Sequence, residues 1–212
     1  MGLNKHGYTP KKRNSNSRKR KKIIFIATEG KNKTEKLYFK KFNSDKVQII
    51  FSKGGATDPV NMVSELLSEC KERGFDSKAG DVAYCVLDSD FDANKNNQLA
   101  LAEKKAVKNN LSMIVSGPCF EIWFLCHYGY STKVFSKNED VINELKIKLP
   151  EYDKNKEDMY ELLQKKQDEA ILNAKKLEKY NMQCGKIPHT VEFMPSTDVY
   201  RIIETIREVE SV

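Results

Sequence analysis

Tyr84-Cys85-Val86-Leu87-Asp88-Ser89-Asp90-Phe91-Asp92 decides how the rest of the chain is read. Four apolar residues run directly into carboxylates at Asp88, Asp90 and Asp92. A run that is apolar at every position, without alternation, suits a central strand of a parallel sheet covered on both faces. The carboxylates then fall at the carboxyl end of that strand, where open α/β sheets carry their sites. Residues two apart in an extended chain point the same way, so Asp88 and Asp90 are placed to share one cation. The competing reading is an acidic strand-to-loop turn, because Asp is a common turn residue.

Working outward, Ile23-Ile24-Phe25-Ile26-Ala27 is a second all-apolar strand, ending in Thr28-Glu29-Gly30. Thr34 is then expected to cap a helix over residues 35–43, with Leu37, Tyr38 and Phe42 as its stripe and Glu35 in its first turn. A strand over 47–51 opens into Ser52-Lys53-Gly54-Gly55-Ala56-Thr57. A Gly-Gly turn before a helix is open to two readings, a phosphate cradle assisted by Lys53 or a plain turn. Asp58 as N-cap and Pro59 at the first helical position start the next helix, and Gly74 stops it. A helix over 95–109 and a strand over 111–115 follow. Pro118 then sits near the start of an apolar helix over 119–128, in which Glu121 is the lone charge. A carboxylate buried there needs a cation, a base or a rim position, which makes Glu121 a site candidate beside the alternative of a dipole partner.

Four strand–helix units with right-handed crossovers give an α/β fold, a parallel sheet of about four strands flanked by helices. Residues 131–180 turn Lys/Glu-rich, with helical spacing at Val141, Leu145 and Leu149, then at Met159, Leu162, Leu163, Ala170, Leu172 and Ala174. A loop over 181–195 precedes a closing helix with Val199, Ile202, Ile203 and Ile206, capped by Ser196, Thr197 or Asp198. The expected organisation is a basic tail over 1–20, an α/β core over 21–130, and a helical appendage with the closing helix over 131–212.

The net charge of +7 is unevenly spread: residues 1–22 hold nine Lys/Arg and no acid, leaving 28 basic against 30 acidic residues beyond. Lys11, Lys12, Arg13, Arg18, Lys19 and Arg20 are therefore candidate phosphate contacts, as is Lys53, against the alternative of a solubilising tail. Five scattered cysteines without a CxxC pair read as thiols of a reducing compartment, and the apolar runs are too short to span a membrane. The 23–27 run is too short for a signal peptide's apolar core, so the expected location is the cytoplasm. His127 and His189 are read as structural or peripheral. Glu29, Asp88 and Asp90 at the ends of two strands, with no His or Cys at ligand spacing, describe an oxygen-only site for Mg²⁺ or Mn²⁺. Such an ion serves phosphoryl transfer or phosphodiester cleavage.

The Glu after the first strand, the Asp88-Ser89-Asp90 pair and the four-unit layout resemble the Toprim domain of topoisomerases, primases and OLD-family nucleases. Ile24-Phe25-Ile26-Ala27-Thr28-Glu29-Gly30, Thr34-Glu35, Tyr38-Phe39, Val86-Leu87-Asp88-Ser89-Asp90, Ser116-Gly117-Pro118-Cys119-Phe120-Glu121-Ile122-Trp123-Phe124-Leu125 and Pro195-Ser196-Thr197 resemble the RloB-like family more closely. Two departures stand out. Gly117 replaces the usual Asn, and Glu29-Gly30-Lys31-Asn32-Lys33-Thr34-Glu35 is one residue longer than the family's stretch.

The resemblance implies a Toprim-like fold and a bacterial or archaeal defence protein, often encoded beside an ABC-type ATPase. It implies Glu29, Asp88 and Asp90 as the metal-binding, catalytic core, Glu35 and Glu121 in support, and acid/base work for Glu29. The expectation is a Mg²⁺- or Mn²⁺-dependent nuclease acting on RNA, with tRNA included, or on DNA. The alternatives are a non-catalytic nucleic-acid-binding or ATPase-partner subunit and a small-molecule phosphohydrolase; homo-oligomerisation is left open.

Overall fold

The computed structural model describes residues 20–30 and 33–211. Its strands are β1 (Lys22–Thr28), β2 (Val47–Phe51), β3 (Val82–Asp88), β4 (Ser112–Gly117) and β5 (Ser196–Thr197), in the sheet order β2-β1-β3-β4-β5. The first four strands are parallel. β5 is an addition to the sequence reading, which puts these residues at a helix cap. It runs antiparallel to β4, Ser116 opposite Thr197 and Gly117 opposite Ser196. Two residues are too few for a period-two pattern to show.

The helices are α1 (Thr34–Phe39), α2 (Pro59–Glu72), α3 (Lys95–Lys108), α4 (Glu121–Cys126), α5 (Asn138–Lys148), α6 (Met159–Leu163), α7 (Gln167–Gln183) and α8 (Val199–Ser211). Alternate strand side chains serve opposite layers. Phe25, Cys85, Leu87 and Val115 pack with Leu66, Leu99 and Ala102 of α2 and α3. Ile24, Ile26, Val86 and Ile114 pack with α1, α4, α5, α7 and α8 in a cluster that extends to Ile206. The segment from Phe135 to Val209 therefore contributes to one apolar core with the sheet.

Several boundaries move for local reasons. Asp58 caps α2 as its spacing predicts, accepting from the Asn61 amide at 2.9 Å, and Gly74 takes φ +68° beyond the helix end. Thr34 does not cap α1. It is the first helical residue, and its hydroxyl donates to the Lys154 carbonyl at 2.9 Å. α4 is six residues long, shorter than the apolar run that suggested it. Leu162 and Leu172 are exposed; Leu172 lies two residues from both Ala170 and Ala174 in one helix and so faces away from them. The five cysteines are free thiols, with Cys184 the exposed one.

Just before β3, the buried Asp81 carboxylate accepts from both terminal nitrogens of Arg20, at 2.9 and 2.6 Å, and from the Ile23 and Asp76 amides, each at 3.0 Å. Burial would raise its pKa, but Arg20 and these amides hold it below the usual carboxylate range. Arg20, a phosphate contact in the sequence reading, is thus engaged as a staple at the amino rim of the sheet. Lys11, Lys12, Arg13, Arg18 and Lys19 lie outside the described residues.

His189, at φ +59°, ties the 184–195 loop to α3 and to the segment before α8. Its Nε2 lies 2.7 Å from Asp198 and its Nδ1 3.0 Å from Glu103. Burial alone would lower its pKa; Asp198 and Glu103 raise it from 6.5 to about 9. A raised histidine pKa stabilises the fold fully below the unfolded value and ceases to do so as pH climbs through the folded one. His189→Gln is expected to cost on the order of 2 kcal/mol at pH 6 and to converge on the wild type above pH 10. Urea melts across that range measure it; a pH-independent difference would contradict the ion-pair account.

Candidate functional site

The chain leaves β1 toward β2 on one side, while β3 and β4 build the other, so the sheet reverses direction between β1 and β3. Open α/β sheets form a crevice at such a point. Thr28, at the end of β1, pairs with Val86 of β3. Glu29 and Asp88 therefore leave neighbouring strands at one rim, and the Asp88 amide lies 3.5 Å from Glu29 Oε2.

Asp90 reaches the same place by a different route from the one alternation predicts. β3 ends at Asp88, and Asp90 turns into the left-handed region at φ +53°. Its amide donates to the Pro118 carbonyl at 3.0 Å, and its carboxylate accepts from Asn138 Nδ2 at 3.2 Å. Asp92 fits the turn reading: it is exposed and accepts from the Asn94 amide at 2.9 Å.

Glu35 is buried in the first turn of α1, and Glu121 in the first turn of α4. The extra residue between Glu29 and Glu35 does not remove Glu35 from the cluster. Glu121 meets the demand that its burial creates: the Tyr152 hydroxyl donates to it at 2.8 Å, and Lys154 Nζ stands 3.9 Å away. Burial, then Glu35, Glu121, Glu29 and Asp90 in turn, push the Asp88 carboxyl well above its usual range. Five acidic side chains, from the residue after β1, from α1, from β3 and the loop after it, and from α4, thus share one electrostatic neighbourhood. Cys119 beside them is kept as a thiol by burial, Glu121 and Asp88.

The largest addition to the sequence reading is Lys95. Its Nζ lies 3.1 Å from each Glu29 oxygen and 2.6 Å from Asp90 Oδ2. Burial lowers its pKa, and Asp90 and Glu29 more than offset that. The sequence signal was a lysine opening a helix, where the dipole disfavours a cation. Asn138, Tyr152 and Lys154 carried no comparable signal, since the polar 131–180 stretch looks alike at every turn.

Among the described residues, no group of three or more His, Cys, Asp or Glu side chains is gathered closely enough to hold a metal ion. The donor chemistry nevertheless fits a hard divalent cation: oxygen donors only, crowded enough to disfavour ionisation of Asp88.

The Gly54-Gly55 loop is not a free phosphate cradle. Its own helix fills it: Glu69 Oε1 accepts from Ser52 Oγ at 2.7 Å, the Lys53 amide at 2.8 Å and the Gly54 amide at 3.2 Å. The loop still borders the site, since the Gly30 amide donates to the Ala56 carbonyl at 3.2 Å; the Lys53 side chain is exposed. Gly117 has a local reason. A Cβ there would meet Ser89 Oγ and Ser196 Oγ at 3.1 Å and the Phe193 carbonyl at 3.2 Å, so a larger residue would have to push these neighbours back by a few tenths of an ångström.

Fold and site together define a doubly wound α/β protein with an acidic cluster at its switch point. Residues 24–206 match the RloB-like protein family, and the chain belongs to it. No curated protein and no solved structure matches the chain. No helix among the described residues is long and apolar enough to cross a membrane.

Proposed function

We propose that the protein is a Mg²⁺- or Mn²⁺-dependent nuclease that cuts RNA, tRNA included, or DNA. The observation that carries this reading is the crowding of Glu29, Glu35, Asp90 and Glu121 around Asp88, with the Lys95 ammonium against Glu29 and Asp90 and Lys154 beside Glu121. Glu29, Asp88 and Asp90 would hold the ion, with Glu35 and Glu121 in support. When bound, the ion polarises a phosphodiester and lowers the pKa of an attacking water. Glu29 serves as ligand or as general acid/base. Asn138 and Tyr152 orient Asp90 and Glu121 from the opposite wall. The basic residues Lys11, Lys12, Arg13, Arg18 and Lys19, with Lys53, add affinity for phosphates. The family likeness extends the proposal to a cytoplasmic effector of anti-phage defence working beside an ABC-type ATPase.

One observation favours a non-catalytic, nucleic-acid-binding subunit instead: Lys95 fills the gap between Glu29 and Asp90 with a cation of its own. Labelled tRNA, single-stranded RNA and plasmid, each with Mg²⁺, Mn²⁺ or EDTA, separate the two. Cutting that needs the metal and is lost in Asp88→Ala and Glu29→Gln is expected. Tight binding without cutting under every metal condition would replace the nuclease with the subunit.

A further inference from the structure

We infer that Lys95 is an internal counter-ion that occupies the cation position between Glu29 and Asp90 and competes with a divalent ion for it. The inference rests on the metal-site reading above and adds how that site is kept when no metal is bound.

Two unfavourable placements meet in this one residue. Lys95 is 8% exposed, and an ammonium is buried at high cost unless it is paired. It also opens α3, where the helix dipole repels a cation. Lys104 and Lys108 of the same helix are exposed, as lysines ordinarily are. Among the described residues, the feature that offsets both costs is the carboxylate pair. Three carboxylate oxygens surround Nζ at 2.6–3.1 Å, which occupies all three ammonium donors. Asp90 is turned toward it by its left-handed backbone and held from the other side by Asn138.

An ammonium is a poor match for this pocket in one respect. It brings a single positive charge to a neighbourhood of five carboxyls. A divalent ion brings two, and binds oxygens at about 2.0–2.1 Å for Mg²⁺, inside the contact distances of Nζ. The two cannot share the space between Glu29 and Asp90. Metal entry therefore requires Lys95 to withdraw along its four-carbon stem. Metal affinity is reduced by the fraction of molecules in which the ammonium is in place. The metal-free protein thereby keeps a cation between Glu29 and Asp90 and is closed to adventitious cations at low concentration.

The test titrates Mn²⁺ by calorimetry into the wild type and Lys95→Gln, with thermal melts in EDTA and in Mn²⁺. Lys95→Gln is expected to melt lower in EDTA, to bind Mn²⁺ about tenfold tighter or more, and to gain more stability from Mn²⁺ than the wild type does. Binding by Lys95→Gln alone would also support the competition. Equal or weaker binding than a wild type that does bind overturns the role of Lys95 and leaves the metal site standing; no binding by either protein overturns both. A second measurement needs no variant. Acetylation of Lys95 in the wild type, read by mass spectrometry, is expected to rise when Mn²⁺ is added, because the displaced amine becomes reachable. Unchanged or reduced acetylation at saturating Mn²⁺ overturns the displacement.

Discussion

Asp88→Asn is expected to melt higher than the wild type in EDTA while losing metal-dependent cutting by roughly 10³-fold or more. The first half follows from charge. Burial and four neighbouring acids oppose ionisation of Asp88, so its folded pKa is raised. The sign is the reverse of a paired carboxylate's. The penalty is absent below the unfolded value near 3.8 and grows as pH rises toward the folded value. An asparagine keeps the shape without the charge, and the gain at pH 7 is about 1–3 kcal/mol. In a chain of this size that is about 2–4 °C per kcal/mol. The gain should disappear near pH 3. The second half follows from the metal: asparagine is a weaker, neutral ligand. Melts at pH 3, 5 and 7 with a parallel cleavage assay measure both halves. A variant that melts no higher at pH 7 would show that the pocket is not crowded with charge.

Trp123→Ala is expected to cause the largest loss of stability, about 3–5 kcal/mol in urea denaturation. Trp123 is fully buried in the cluster that joins the sheet to α5, α7 and α8. It packs edge-on against His127 with ring centroids 4.8 Å apart, and its carbonyl is 2.9 Å from His127 Nδ1. The cavity left by an indole cannot close when neighbours on several helices hold it open. Glu121 precedes Trp123 by two residues on the same short helix. The variant should therefore also weaken Mn²⁺ binding. A loss below about 1 kcal/mol would mean that α4 is not the keystone of this layer.

Much of this was legible because the signals are local. All-apolar runs at 23–27 and 84–87 announce strands covered on both faces, and Asp58-Pro59 announces a helix start. These depend on side-chain periodicity and backbone preferences within a few residues. Glu121 was legible for the same reason: a lone carboxylate in an apolar run must find a partner. Its partner, Tyr152, was not legible, because 31 residues separate the two and nothing in either neighbourhood points to the other. β5 escaped notice because it is two residues long and exists only through pairing with β4.

By itself the sequence determined which acids stand at the strand ends and that the strands run parallel, because burial on both faces is written into composition. Only the tertiary structure decided how those acids meet. Strand order sets Glu29 beside Asp88, a left-handed turn brings in Asp90, and α1 and α4 add Glu35 and Glu121. The fold also decided that Lys95 lies among them. Hydrophobic patterning is a property of neighbours in the chain, whereas the balance of charge in a pocket depends on distances that only packing defines.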